Sequence, residues 1–571
     1  MTSAPSAAIS PASRIPATRS RVSCWDRCRP FAIDLQQTDI QERAHIQEYF
    51  IQDDWKVADR LTINAGLRYT LNLPSTEING QTAVFNLETR QLEYPGAEPV
   101  RPLKKDNFDP RIGAVYRLTD RTILSSGYAK VWIEMAGITT PFTTPNFPFL
   151  QDVSQRTLDN IAPAFVLAKG PTVTPVSPTP TAGLGQGVFT VDRTLGSGYV
   201  QQWNVSIQRE LTPNTVVEVS YLGSKITNIG IPDSNINQLT EEQLTLGPTL
   251  LERVANPFFG IVPRSSSIGD PTITRAQLMK PYPDYTAVSF YRNNVGTTNY
   301  QGLGVSIRQR LSHGLLYSAA YTRSKLTDIA SSVFDASILT GPLTNAAVAD
   351  SHNLERERDY STGDIPHYFA VSVVSDLPFG KGRATHLGGV VGALVNDWTV
   401  ASFMTLQSGV PVAVTQAHAL GYAGFTTQRP NLVGDPTIPA DERTPARWFN
   451  TAAFATANQF TIGSASRNPV RGASYRDVDL ALMRGIGVGG GREFELRVRG
   501  LQPAEHRQCR RAGGAGRTGE LRDDHVGARS TRGAIRGEVL VLNSKTPREP
   551  QTPAAPAPAR QHLRRAPSTA P

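Results

Sequence analysis

The chain has 571 residues, of which 39% are hydrophobic, and it carries a formal net charge of +9 and three cysteines. The positive excess belongs to the two ends, because residues 31–499 hold 40 basic and 42 acidic groups and Cys24, Cys28 and Cys509 all lie outside that range. This distribution argues against a nucleic-acid-binding protein, whose basic groups would cover the folded body. The sequence also contains no apolar run of about 18 residues, which excludes a transmembrane helix.

Alternating segments follow one another along the body of the chain. In residues 60–69, the apolar residues Leu61, Ile63, Ala65, Leu67 and Tyr69 alternate with polar or small ones. Successive side chains of a strand point to opposite faces, so this pattern predicts a strand with one apolar and one polar face. The pattern recurs at 202–208, 302–308, 315–321, 369–373, 398–406, 478–482 and 493–498, and we count about twelve strands in all.

The connections between these predicted strands alternate in length. Short turns fall at 57–59, 119–120, 212–214, 312–314 and the glycine-rich 485–491, whereas long polar segments occupy about 71–108, 132–198, 224–298, 324–365 and 409–474. Short turns at one end and long loops at the other are typical of a transmembrane β-barrel. We therefore predict an all-β, antiparallel transmembrane β-barrel portion. The alternative is a secreted or surface-attached all-β binding or adhesion protein, whose apolar faces would pack between two sheets.

Several motifs carry a family resemblance over about residues 31–499. In chain order they are QEYFIQDDWK from Gln47, LTINAGLRY from Leu61, NFDPRIG from Asn107, QQWN from Gln201, YLGS from Tyr221, YTRSK from Tyr321, DIPHYF from Asp364, RPNLVGDP from Arg429 and WFN from Trp448. The set resembles TonB-dependent outer-membrane receptors and, more narrowly, the Oar-like transporters. The resemblance implies a location in the cell outer membrane and energised uptake of an unidentified substrate, with outer-membrane lipid and TonB as partners.

The same resemblance predicts how the chain is divided. Receptors of this type are expected to have a 22-stranded barrel filled by an N-terminal plug, of which residues 31–499 supply about twelve strands. We expect the plug and the TonB-contacting segment to be missing. Residues 1–30 and 500–571 stop resembling the family abruptly, and both can be encoded so that a neighbouring frame reads as barrel sequence. We predict that both ends are disordered and out of frame, and residues 1–30 contain no recognisable signal peptide.

Candidate site residues come from both faces of the predicted strands. Aromatic side chains near strand ends are typical of the girdles that lie at the two membrane interfaces. We assign to such girdles Trp55, Tyr69, Tyr128, Trp132, Trp203, Tyr221 and Trp398. Polar side chains on the opposite face are predicted to point into the barrel lumen, and these are Arg68, Gln202, Gln208 and Arg308.

Motifs for other chemistry are weaker. Asp350, Glu355, Glu357 and Asp359 offer oxygen ligands of the kind that Ca²⁺ takes, but the arginines between them favour a solvated loop, so we predict no metal site. Cys24 and the nearby second cysteine have no further ligand pair close by. The sequence shows no nucleophile with an evident base partner, and the Arg/Gly-rich segment 510–536 has no aromatic residues to stack on bases. We therefore predict no enzyme activity, no cofactor and no nucleic-acid partner.

Overall fold

The computed structural model describes thirteen stretches of the chain. They are residues 31–36, 41–133, 147–155, 176–194, 197–264, 266–312, 314–329, 348–380, 383–417, 420–444, 447–489, 492–502 and 534–543. The predicted disorder of residues 1–30, and all three cysteines, lie outside the described residues.

β-Strands are the main secondary structure of the described residues. In order they are β1 (Phe31–Gln36), β2 (Glu42–Ala58), β3 (Leu61–Glu77), β4 (Val84–Asn86), β5 (Gln91–Glu93), β6 (Phe108–Thr119), β7 (Thr122–Trp132), β8 (Leu150–Gln155), β9 (Gly187–Thr190), β10 (Tyr199–Thr212), β11 (Thr215–Ile229), β12 (Ser234–Asn235), β13 (Arg253–Ala255), β14 (Thr272–Thr274), β15 (Ala287–Phe290), β16 (Gly296–Ser312), β17 (Leu315–Ile329), β18 (Arg358–Tyr360), β19 (His367–Asp376), β20 (Trp398–Gln407), β21 (Pro411–Val412), β22 (Asn431–Leu432), β23 (Phe454–Ala455), β24 (Val470–Arg471), β25 (Tyr475–Gly489), β26 (Arg492–Gln502) and β27 (Ala534–Asn543).

Helices are few and short. The α-helices are α1 (Glu241–Leu244), α2 (Arg275–Met279) and α3 (Gly389–Val395), and the 3₁₀ turns are Gly247–Leu251, Leu354–Glu357, Gly421–Ala423, Ala440–Glu442 and Thr451–Ala453. Within the part of the chain that the structure describes, none of the helices has the length and apolar character needed to cross a membrane.

One antiparallel sheet contains nearly all the long strands. Its order is β2-β3-β6-β7-β10-β11-β16-β17-β19-β20-β25-β26-β27, so strands that follow one another along the chain pair as hairpins, and β18 adds a short pairing to β17. The predicted all-β antiparallel architecture is confirmed, with thirteen strands in the path where the alternation predicts about twelve.

The two faces of this sheet differ in polarity, because residues directly opposite each other on paired strands keep their side chains on the same side. Trp203 lies opposite Gly223, Val205 opposite Tyr221, and the next strand adds Leu303 opposite Tyr221. We call this side the apolar face. The alternate residues form the polar face, where Ser206 lies opposite Ser220.

The strands have a turn end and a loop end. Turns at 59–60, 120–121, 213–214 and Gly314 join the strands at the turn end, whereas residues 78–107, 133–198, 230–295, 330–366 and 408–474 connect them at the loop end. Gly314 in one of these turns has a φ of 75°, which glycine adopts without a steric penalty.

The long segments pack on one another at the loop end. Leu239, Leu250 and Ala276 form one buried cluster with Leu420 and Phe425, which joins 230–295 to 408–474. A second cluster joins three segments and consists of Phe85, Leu92, Val188, Tyr285 and Val288. We call the described residues of these segments the loop layer. It has a hydrophobic core of its own, which the polar composition of the segments does not predict.

The strands extend beyond their predicted limits. β3 runs to Glu77 and β11 to Ile229, while β25 continues to Gly489 through most of the predicted glycine-rich turn. β27 pairs with β26 and lies within residues 500–571, where we predicted disorder. The sequence AIRGEVLVLN of β27 is rich in residues that favour strands, a local signal that the basic composition of the surrounding tail obscures.

Candidate functional site

A row of hydrogen-bonding side chains crosses the polar face. Ser125 lies opposite Ser206, which lies opposite Ser220 on its other side, and the hydroxyl oxygens of Ser125 and Ser206 are 2.7 Å apart. Towards the turn end, Gln208 lies opposite Glu218. This face therefore carries a continuous row of hydrogen-bonding groups across neighbouring strands.

An open cavity of about 490 Å³ lies on the polar face at the turn end. Its lining includes Gln208, Glu218, Ser306, Arg308 and Ser318. Gln208, Glu218 and Arg308 form no side-chain hydrogen bond or ion pair with any residue in the described ranges. A carboxylate, an amide and a guanidinium are thus left available to bind a polar solute or another polypeptide segment.

Arg68 lies in a different environment near the loop end of the same face. Its guanidinium contacts Asp109, with Nε 2.9 Å from Oδ2, and Glu48, with Nη1 2.9 Å from Oε1. Asp109 is completely buried and also accepts hydrogen bonds from the Thr70 hydroxyl at 3.0 Å and the Trp132 backbone N–H at 2.7 Å. This network joins β3, β6 and β7, so Arg68 is committed to holding strands together.

The four residues predicted to line a lumen all lie on the polar face. Gln202 lies opposite Ser224 and is exposed, as are Gln208 and Arg308, whereas Arg68 is half-buried. The structure brings Gln208 and Arg308 together at the cavity and leaves Gln202 nearer the loop end. The parity of residue numbers along each strand is the signal that predicts this shared face.

The predicted interfacial aromatics lie on the apolar face, some near strand ends and others, such as Tyr69 and Tyr221, near the middle of their strands. At the turn end, Trp55 is 61% exposed, and the indole N–H of Trp398 donates to the Leu394 carbonyl at 2.7 Å. Tyr128 and Trp203 lie towards the loop end. Trp132 differs because it is buried and donates its indole N–H to the Phe108 carbonyl at 3.0 Å.

The acidic residues weighed as metal ligands have separate partners. Glu357 is buried against Arg429, Glu355 is exposed and pairs with Arg358 at 2.7 Å, and the remaining two carboxylates, of Asp350 and Asp359, accept backbone N–H groups. No group of three or more histidine, cysteine or acidic side chains within the described ranges could hold a metal ion.

Three buried or half-buried arginines anchor segment 408–474 to segment 324–366. Besides Arg429 and Glu357, Arg467 pairs with Asp328, and Arg471 lies 2.5 Å from the buried Asp364. Sequence reasoning missed all three pairs. The available signal was that Arg429 and Asp364, like Asp109 near the other end of the sheet, are charged residues inside the motifs that carry the family resemblance.

Burial shifts the pKa of several groups in the loop layer. Desolvation lowers the pKa of Lys280 to about 8 and raises the pKa of the Tyr285 phenol. Burial also raises the pKa of the Asp233 carboxyl, while a hydrogen bond from the Arg292 backbone N–H opposes the shift. Each of these shifts follows from burial of the group within the loop layer.

Comparison with known proteins identifies the family. A sequence model of the family described as Outer membrane beta barrel domain matches residues 25–506. The chain belongs to this family. As an outer membrane β-barrel it lies in the outer membrane, which confirms the predicted location and sets aside the secreted all-β alternative. In such barrels the apolar face contacts lipid, the polar face lines the interior, and the long loops lie outside the cell.

Solved structures that align with part of the chain are outer-membrane receptors and transporters. They include the ferripyoverdine receptor of Pseudomonas aeruginosa (10% identity, TM-score 0.33, 81% of this chain and 35% of that chain). Two others are the FrpB iron transporter of Neisseria meningitidis (9%, 0.35, 81% and 42%) and the copper transporter OprC (9%, 0.34, 80% and 42%). This β-barrel chain thus spans about a third to two fifths of their length. No curated protein sequence matches it.

Proposed function

We propose that this outer membrane β-barrel chain takes part in energised uptake of a polar solute, as a TonB-dependent receptor of the Oar-like group. The observation that carries the proposal is a set of polar groups around the cavity on the polar face that form no side-chain hydrogen bond or ion pair with described residues. A face that served only as scaffold would pair its charges across strands, as Arg68 and Asp109 do. Gln208, Glu218 and Arg308 instead offer donors and acceptors to the barrel interior.

The loop layer supports the same proposal. Long segments that pack around buried clusters and buried ion pairs form an ordered surface on the outside of the barrel. Binding residues commonly lie on loops that a rigid scaffold positions. We propose that this layer meets the solute first, that the polar face of the strands receives it next, and that TonB supplies the energy.

Uptake by whole cells tests this proposal. Accumulation of labelled ferric chelates, peptides and oligosaccharides is compared in cells that carry the gene, cells that lack it and cells without TonB. We expect at least one of these solute classes to accumulate only when both the gene and TonB are present. Arg308→Ala is expected to lower that accumulation, because it removes the guanidinium at the cavity.

Arg209→Ala provides the matched control. Arg209 lies next to Gln208 in β10 but points to the apolar face, so its loss leaves the cavity unchanged. Accumulation that is the same with and without the gene for every solute class contradicts a role in uptake. Accumulation that needs the gene but not TonB contradicts energised transport and favours a passive pore.

A further inference from the structure

One connection at the turn end is much longer than the others. Residues 377–397 join β19 to β20, whereas the turns at 59–60, 120–121 and 213–214 contain two residues each. Periplasmic turns of outer-membrane barrels are typically short, so a hairpin closes without such a segment. This connection, which we call the β19–β20 connection, contains the helix α3.

The base of the β19–β20 connection is held together by backbone hydrogen bonds. The N–H of Leu377 donates to the carbonyl of Trp398 at 2.8 Å, and the N–H of Asp397 donates to the carbonyl of Phe379 at 2.9 Å. These bonds join the start of the connection to its end and to the first residue of β20. The position of α3 relative to the barrel wall is therefore fixed by the strands that precede and follow it.

The carboxyl end of α3 contacts the lipid-facing side of the wall. The indole N–H of Trp398 donates to the Leu394 carbonyl at 2.7 Å, and the guanidinium of Arg484 donates to the Ala393 carbonyl. Trp398 and Arg484 lie directly opposite each other on β20 and β25, and both belong to the apolar face. Because both donors are on the lipid side of the strands, α3 lies outside the barrel wall.

One side of α3 is apolar and exposed. Val390, Val391 and Leu394 are 77%, 60% and 66% exposed, and their spacing places them on the same side of the helix. Gly392, on the opposite side, is buried. The helix sequence, GVVGALV, contains no polar side chain. Exposure of this surface to water is unfavourable, so the apolar side of α3 requires a cover from outside the chain.

The surface beside α3 indicates what covers it. Leu482 and Ile486 flank Arg484 on the apolar face of β25 and are 36% and 39% exposed. This face contacts lipid in an outer-membrane barrel, so the exposed side of α3 continues a surface that is already in the membrane. Trp398, whose indole holds α3, is the residue type that is enriched at the membrane–water boundary.

We propose that α3 is an interfacial helix that inserts its apolar side into the periplasmic leaflet of the outer membrane. The turn end is the periplasmic end of the barrel, and a helix in the plane of the interface buries its apolar side by about 5–10 Å. Val390, Val391 and Leu394 offer no group that binds a phosphate, so the partner is the acyl-chain region just below the headgroups. The helix thereby fixes the depth of the β19–β20 hairpin in the membrane.

Photolabelling of the full chain in lipid vesicles tests the proposal. The vesicles contain a phosphatidylcholine with a diazirine on its acyl chain close to the glycerol, and mass spectrometry locates the residues that the carbene has modified. We expect α3 to be labelled as strongly as the lipid-facing Leu480 and Leu482, and the turn at 213–214 to stay unlabelled. Leu394→Asp is expected to lower the labelling of α3 at least about tenfold, because it removes a leucine from the lipid and puts a charge in its place.

Thr385→Asp is the matched control, because Thr385 is exposed in the same connection but lies outside the helix, and labelling of α3 should not change. Labelling of α3 no stronger than that of the turn at 213–214 overturns the proposal. If α3 stays unlabelled and its hydrogen exchange slows as the protein concentration rises, a second copy of the chain covers it, which also overturns the proposal. Heat-dependent electrophoretic mobility checks folding. If Leu394→Asp does not fold, the labelling pattern of the unchanged chain decides between these outcomes.

Discussion

Arg467 and Asp328 form an ion pair in which the two side chains are only 2% and 3% exposed. They are 139 residues apart in the chain, so the pair fastens the last long segment of the loop layer to the loop end of β17. Removing one partner of such a pair leaves an uncompensated buried charge, which is far more costly than losing an exposed pair. The loop layer is therefore tied to the barrel by charge as well as by apolar packing.

Arg467→Met is expected to destabilise the loop layer by about 3–5 kcal/mol, because Asp328 remains buried without its counter-charge. Hydrogen exchange resolved by segment measures the effect, which should fall on residues 408–474 and spare the strands of the sheet. Arg358→Met is the matched control, since its pair with Glu355 is exposed and such pairs contribute little. The same protection in both variants would show that the buried pair is unimportant.

Asp109→Asn is expected to destabilise the barrel, because the buried carboxylate accepts hydrogen bonds from Arg68, Thr70 and the Trp132 backbone. An asparagine keeps the shape but loses the charge, so we expect a cost of about 2–4 kcal/mol. The free energy of unfolding, measured by urea titration in lipid vesicles, gives the value.

The control for Asp109→Asn is Asp59→Asn in the exposed pair with Lys56, for which we expect no measurable change. If Asp109→Asn lowers the free energy of unfolding no more than the control does, this network does not hold the strands together.

The strands and their two faces are predictable from the sequence because alternation repeats over long stretches. Trp203, Val205 and Ile207 identify the apolar face of β10, and the pairing register then identifies the apolar face of each neighbouring strand. The partners of Asp109 and Asp328 are not predictable in this way. They lie 41 and 139 residues away, and segments without any periodicity bring them together.

The packing of the loop layer cannot be predicted from the sequence for a related reason. Its buried residues, such as Phe85, Leu239 and Tyr285, are isolated apolar positions within polar, proline-rich stretches. No local period marks them, and their contacts come from several segments at once. Gln208 and Arg308 could each be assigned to a face from the alternation of their own strands. Placing both of them at one cavity required the register of three strands, which no local pattern provides.

Gly223→Val is expected to destabilise the barrel, because the Trp203 ring lies directly over Gly223 on the neighbouring strand and any Cβ there would collide with it. Displacing the indole should cost about 1–3 kcal/mol in the free energy of unfolding. Gly113→Val is the matched control, since the nearest atom to a Cβ at Gly113 is 3.6 Å away. Equal urea midpoints for the two variants would contradict close packing of the ring on the glycine.

Lys280 is expected to make the stability of the loop layer depend on pH. Burial lowers the pKa of Lys280 to about 8 in the folded chain, against about 10.4 for an unfolded lysine. Between these values the unfolded state binds more protons, so stability rises with pH across that window. Below about pH 8 the amine is charged in both states and its burial cost applies in full.

Lys280→Met removes this cost. The variant is expected to be more stable than the parent at neutral pH by up to roughly 3 kcal/mol, and the difference should shrink as the pH approaches about 10. The pKa of the Tyr285 phenol is raised, so this group lowers stability as the pH rises, but only at pH values where unfolded tyrosines ionise. Because the parent and the variant both contain Tyr285, it does not affect the difference between them. Segment-resolved hydrogen exchange at several pH values measures the difference, with the exposed Lys225→Met as control. A variant less stable than the parent at neutral pH would show that Lys280 has a stabilising partner.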